Sequence, residues 1–274
     1  MEPIQNTIFG GHVFIGSHMC RCLEKDGLPY QVVGRQDSLP VGNLGNVYYC
    51  AGVTADFRSR PFDTISGHIS TLSNVLENGE YTSFIYLSSA RIYRHAQVTT
   101  EEGSFLIDPC DPENLVDISK LAGEALCLSM NDKNIRIVRL SNVFGNDFFS
   151  KMFLTEIIGS ALVKKEIYLR AALNSSKDFV DVESAVNVIR RISKNGKHRL
   201  YNIASGYNIS HKEIAYKLRE LTGCTLRVAD DAPSIIWSLI NIDRVKREFD
   251  FKSTCLTDKL GDLVCAFENQ LHPK

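Results

Sequence analysis

No stretch of this sequence approaches the ~18 to 20 consecutive apolar residues that cross a bilayer, and no charged-then-apolar leader follows Met1. The cytoplasm is therefore the expected compartment, with no membrane partner. Excess charge is missing too. Thirty-one basic and 32 acidic side chains leave a formal net charge of −1, so no whole-molecule field would gather nucleic acid or an anionic surface. Any anionic ligand must be held by local groups. The eight cysteines, at positions 20, 22, 50, 110, 127, 224, 255 and 265, are too scattered for a disulfide framework. Cys20 and Cys22 stand on roughly opposite faces of a helix, which defeats chelation, and no metal site is expected. Repeats, low-complexity tracts and like-charge runs are also missing, which excludes a solenoid or a disordered tail.

What is present is alternation. Thr7 to Phe9 reads as a short strand, followed by a glycine turn and by Ile15, Met19 and Leu23 at helical spacing up to Asp26-Gly27. Tyr30 to Val33 is the second strand and Val47 to Gly52 the next. The residues between them include Pro40, Gly42 and Gly45, and they are too few for a helix, a strand and a second helix. One crossover unit after the second strand is shortened or missing. Strands at Phe84 to Ser88 and Ile135 to Leu140 flank a helix with apolar Ile118, Leu121, Ala122 and Ala125. The order predicts an α/β fold with a doubly wound parallel sheet. Later come strand patterns at Phe179 to Val182 and Leu200 to Ile203, then Ser210-x-x-Glu213, a capping box opening a helix with Ile214, Leu218 and Leu221 inward.

A glycine loop between a first strand and a first helix aims backbone N–H groups and a helix N-terminus at a pyrophosphate. Here the loop is Gly10-Gly11-His12-Val13-Phe14-Ile15-Gly16. The string Phe9 to His18 resembles the signature of the extended short-chain dehydrogenase/reductase family, the nucleotide-sugar epimerase/dehydratase type. Family-like strings continue through Tyr49-Cys50-Ala51-Gly52, Tyr86 to Tyr93, Ile118 to Glu124, Arg139 to Gly145, Lys177 to Val182 and Tyr201 to Gly206. The resemblance implies a Rossmann domain over residues 1–145 with a returning segment near 178–204. A smaller C-terminal α/β substrate lobe would take 146–177 and 205–274.

It also implies residue roles. Gly10, Val13, Phe14, Ile15, Gly16, Arg35, Cys50, Ala51, Gly52 and Lys120 would contact NAD or NADP. Ser89 and Lys120 would be catalytic, while Arg91, Val116 and Asn142 would face the substrate, a nucleotide-linked sugar. Cofactor choice is usually set at the end of the second strand, where an acid bonds the ribose hydroxyls and an arginine accommodates a 2′-phosphate. Gly34-Arg35 stands there, which leans the reading toward NADP, with nearby Asp37 pulling the other way. By resemblance the Lys120 helix and one near Leu72 to Leu76 would form a homodimer interface.

Three departures surround that same cofactor. Val13 replaces the loop's middle glycine, where a β-branched side chain adds bulk. Gly34 lacks the carboxylate. Most consequentially, the family's proton-shuttling tyrosine lies four residues before the lysine, on the same helix face, and that position is Val116. Asp117 points about 100° round the helix from it. Lys120 itself, or a water held by Ser89, is the remaining donor. Of the histidines at 12, 18, 68 and 95, His95 is the one placed for a cleft loop. Asp181 and Glu183 read as capping residues, and Arg170 and Lys177 as either diphosphate ligands or surface charge. Ala90-Arg91 replaces the acidic pair of the family's common sugar dehydratases. The reading is an NAD(P)-dependent sugar oxidoreductase or epimerase with a non-standard proton donor. The alternative is an inactive cofactor-binding or regulatory member of the same fold.

Overall fold

Every position of the first strand, β1 (Asn6–Phe9), is buried, as the central strand of a two-faced sheet requires. A computed structural model describes residues 6–53, 55–148 and 150–271 of the chain. After the glycine turn comes α1 (Phe14–Lys25), whose Met19 and Leu23 are fully buried. β2 (Gln31–Val33) follows. Residues 34–45 then contain no helix. They pass through Gly42 and Gly45, both at positive φ, touch Glu80 through a bridge at Asn43, and enter β3 (Asn46–Tyr49).

A single helical run interrupted by a π turn comes next. It consists of α2 (Pro61–Ile65), one π-helical turn over Ser66–Ser70, and α3 (Thr71–Asn78). Beyond it lie β4 (Ser83–Ser89), α4 (Leu115–Ser129), β5 (Ile135–Leu140) and β6 (Asn142–Phe144). The chain continues with α5 (Phe153–Val163), β7 (Glu166–Leu169), β8 (Ser176–Asp181) and α6 (Val182–Asn195). It closes with β9 (Leu200–Ile203), β10 (Asn208–Ser210), α7 (His211–Thr222), β11 (Thr225–Val228), α8 (Asp243–Phe249) and α9 (Leu256–Leu271).

The main sheet is six-stranded and parallel, in the order β2-β1-β3-β4-β5-β9. A doubly wound sheet of this kind normally lays a further strand outside its second one. Here β2 is the edge, because residues 34–45 cross directly to the far side of β1. Helices α1 and α6 cover one face with a core of Met19, Leu23, Val186 and Ile189. The other face packs Leu72, Val75, Leu76 and Cys127 from α3 and α4. A second lobe joins the β10-β8-β6 and β11-β7 sheets to α5, α7 and α9 around Ile158, Ile214, Leu218 and Leu260.

Two helices differ from their sequence patterns. On α4 the apolar stripe is split: Ile118 is 36% exposed and Ala125 is exposed as well, while Leu121 and Ala122 are half-buried, Leu121 against the Ala90–Ile92 cluster. The inward face carries Val116, Asp117, Ser119, Lys120, Gly123, Glu124 and Cys127. Gly123 explains how the polar face gets in, since a Cβ there would lie 2.3 Å from the Tyr86 hydroxyl. The bare backbone lets α4 sit down on β4, where the buried Glu124 meets Arg139 at 2.6 Å and Ser88 Oγ at 2.5 Å. On α7 the capping box of Ser210 and Glu213 forms and Ile214 and Leu218 are buried. Leu221, expected inward, is 39% exposed because the helix runs off the core one turn before its Gly223 stop.

Candidate active site

The topology reverses between β1 and β3, which places a crevice at the C-terminal ends of the strands. A cleft of about 700 Å³ lies there, between the main sheet and the second lobe. Val13, Phe14, Ile15, Arg35, Cys50, Ala51, Gly52, Ser89, Arg91, Val116, Lys120 and Asn142 all line it. Gly10 and Gly16 shape its floor without lining it. Gly10 takes φ +77, and a Cβ at Gly16 would fall 2.1 Å from the Gly10 carbonyl oxygen, so the first turn of α1 rests directly on the loop. No side chain caps that helix. Its opening N–H groups therefore remain available to an anion.

Val13 has φ −85 and ψ 165, extended backbone that any residue adopts. Glycine is not needed there for conformation. What valine adds is bulk, with a 40% exposed side chain at the cleft mouth. At the end of β2, Asp37 accepts the Gly34 N–H at 2.7 Å, so that carboxylate folds back on its own loop. Arg35 lines the cleft and pairs with Asp63 at 3.0 Å. Sequence reasoning did not find Arg58 and Arg60, which also line it from the turn before α2. Nothing in their local pattern distinguishes them from surface charge.

Ser89 Oγ accepts the Arg91 backbone N–H at 3.1 Å, which leaves its own proton free for a ligand oxygen. Lys120 is only 4% exposed. Its Nζ donates to the Leu87 carbonyl oxygen at 2.8 Å and lies 5.0 Å from the centroid of the Tyr86 ring. Burial pushes this amine down to about 8. Asn142 donates its amide to the Asp178 carbonyl oxygen at 2.8 Å, which fixes the plane of the group.

Val116 packs in an apolar patch with Val53, Phe57 and Leu115 on the cleft wall, four residues from Lys120 and on its face of α4. Asp117 is no replacement donor. Its carboxylate is turned away, 3.1 Å from Arg91 Nε, and does not line the cleft. Tyr93 is buried in a network with Arg139 and Asn202. His95 and Arg170 are exposed and outside the cleft. His18 bonds Glu183 at 2.7 Å, and Asp181 caps α6 through Ser184.

Lys177, unlike Arg170, lines the cleft, as does Lys151 from the same lobe. The Lys177 Nζ sits 4.6 Å from the Phe153 ring centroid and 5.4 Å from that of Phe179, with no carboxylate partner among the described residues. Burial and the nearby Arg91 push it down to about 8. The cleft thus has an uncapped helix N-terminus at one end, an unpaired lysine at the other, and a serine, a lysine and an amide between.

Comparison with known proteins gives the family. Residues 45–204 match the NAD dependent epimerase/dehydratase family, and the chain belongs to it. It is 25% identical over 158 residues to a dTDP-glucose 4,6-dehydratase of Streptomyces griseus, covering 56% of this chain but 47% of that protein. It is 24% identical over 230 residues to a dTDP-4-dehydro-6-deoxy-D-allose reductase of a Streptomyces species, covering 76% and 70%. In fold it is similar to a Bacillus cereus UDP-glucuronic acid 4-epimerase in complex with UDP-glucuronic acid and NAD, with a TM-score of 0.79 at 19% identity over 97% of this chain and 99% of that one.

Proposed function

We propose that this protein is an NAD(P)-dependent oxidoreductase or epimerase of a nucleotide-linked sugar, in which the proton moves through Lys120 and Ser89 rather than a tyrosine. The observation that carries the reading is the meeting of Ser89, Lys120, Asn142 and the uncapped start of α1 in one cleft. The residues present fit a dinucleotide: the close Gly10–Gly16 approach and the uncapped start of α1 leave N–H groups free for a pyrophosphate, and Arg35, lining the cleft just after β2, would meet a 2′-phosphate. When bound, the nicotinamide supplies the hydride acceptor or donor.

The chain's own groups supply the rest. Ser89 Oγ donates to the reacting sugar oxygen and polarises it. Lys120 keeps one proton on Leu87 and presents another to the cleft that it lines; an amine near 8 is a competent proton donor at neutral pH. Asn142, held by Asp178, orients the sugar. Lys177 meets the diphosphate, because an unpaired ammonium at a cleft wall is the local charge such an anion needs. The same reading includes a homodimer through the outward apolar face of α4.

The rival reading, a non-catalytic cofactor-binding protein, is favoured by one observation: the position four residues before Lys120, on its face of α4, is a valine packed on Val53 and Phe57, a side chain that cannot carry a proton. Native mass spectrometry of the purified protein, with NAD and NADP titrated in, tests the shared part. Retention of either supports both readings. Binding of neither at millimolar concentration overturns both.

A further inference from the structure

His68 lies on the π-helical turn Ser66–Ser70 and has no exposed surface. Its Nδ1 is 2.8 Å from Ser119 Oγ. That hydroxyl spends its single proton on the Val116 carbonyl oxygen at 3.0 Å, so Nδ1 carries the ring proton and Nε2 is a bare acceptor. Nε2 is buried and has no partner among the described residues. An acceptor left so is costly, and normally marks a missing partner.

The partner within reach is Lys120. Gly52 separates them at φ +148, and the point its Cβ would occupy is 2.5 Å from His68 Nε2 and 3.5 Å from Lys120 Nζ. The two nitrogens are therefore no more than about 6 Å apart across Gly52, and a side chain at that position would collide with the imidazole edge, whose Cδ2 also lies 2.5 Å from that point. Gly67 permits this close approach, since it lets the turn pack onto the Gly52 backbone, with a would-be Cβ 3.1 Å from Gly52 Cα. On its other sides the ammonium meets the Leu87 carbonyl and the Tyr86 ring, with the Cys50 thiol and Glu124 and Cys127 of its own helix near enough to act on its charge. None of these is a neutral nitrogen acceptor.

We propose that His68 is a positioning residue for Lys120: its bare Nε2 accepts one ammonium proton through a single water, fixing the direction of the amine and favouring its charged form. The tautomer is set from behind by Ser119, so the device spans Val116, Ser119 and Lys120 on one face of α4. It rests on the reading of Lys120 as the proton-bearing group, but the bridge is a property of the cofactor-free protein. Burial and the neighbouring ammonium both keep the imidazole neutral, with a pKa of about 2.

The test is the titration of Lys120 in the cofactor-free protein, read by the nitrogen resonances of labelled lysine and histidine. In His68→Phe the Lys120 midpoint is expected to fall by about one pH unit, because an acceptor of the charged form is lost. His68→Gln, which restores an acceptor, is expected to recover most of it. A purely packing role predicts the reverse order, with the aromatic variant closer to wild type. Should His68→Phe fail to fold, the wild type decides alone. The His68 Nε2 resonance must move as Lys120 titrates while the ring itself stays neutral. An Nε2 signal that stays still through that titration, or an unshifted midpoint in folded His68→Phe, overturns the proposal. Either result leaves cofactor binding, read separately, intact.

Discussion

Restoring the missing phenol is the sharpest perturbation of the site. In Val116→Tyr the new ring must pass through the patch of Val53, Phe57 and Leu115, where the native valine is 3% exposed. Overpacking of this kind costs about 1 to 3 kcal/mol, which in a chain of this size lowers Tm by a few degrees. The adjoining cleft of about 700 Å³ gives the hydroxyl somewhere to go. There it would stand on the Lys120 face of α4, the relation that lets an ammonium depress a phenol's pKa. A positioned general acid contributes on the order of 10² to 10⁴ in rate, so hydride exchange with a responsive nucleotide sugar should rise within that range. The assay pairs stopped-flow absorbance of the nicotinamide with a thermal melt. Wild-type activity that disappears in a folded, cofactor-binding Val116→Tyr would refute the reasoning, because it would mean the valine shapes the substrate pocket rather than leaving a gap in it.

The loop, the buried ion pair and the low amine each give a further expectation. Gly16→Ala puts a Cβ 2.1 Å from a backbone oxygen, so NAD(P) affinity measured by calorimetry should fall at least tenfold, despite the better helix propensity of alanine. Glu124→Leu leaves the 3% exposed Arg139 without its carboxylate and should cost about 3 to 5 kcal/mol in denaturant unfolding. Lys120 is lowered from 10.5 to about 8, so between those pH values the unfolded chain binds more protons than the folded one. Stability from this group therefore rises with pH across that window and levels off above it, and wild type should gain more than Lys120→Met when urea unfolding is compared at its two ends.

Much of this architecture was legible because burial on a parallel sheet leaves plain marks. β5 was read to its ends, and the short link after Val33 betrayed the missing crossover because thirteen residues or fewer cannot hold a helix, a strand and a helix. The capping box at Ser210 was legible for the same reason of local chemistry. The inward face of α4 was not. Periodicity assigns the apolar stripe to the core, whereas here Gly123 and the Glu124–Arg139 pair pull the polar stripe in. In the cleft, resemblance located Ser89, Lys120 and Asn142, but residues delivered by irregular loops, such as Phe57, Arg58 and Arg60, carry no periodic signal. His68 belongs to that group: only the three-dimensional approach of Gly52 makes its second nitrogen informative.

The central claim is that this cleft moves a hydride between a nicotinamide and a nucleotide-linked sugar, with Lys120 carrying the proton. It is tested most directly by incubating wild type and Lys120→Met with NAD or NADP and nucleotide sugars deuterated at the sugar carbinol carbons, followed by mass spectrometry of the cofactor. Wild type is expected to put deuterium on the nicotinamide, with transfer slower by about 10² or more in the variant. Cofactor bound by wild type but free of deuterium across the whole panel would contradict it.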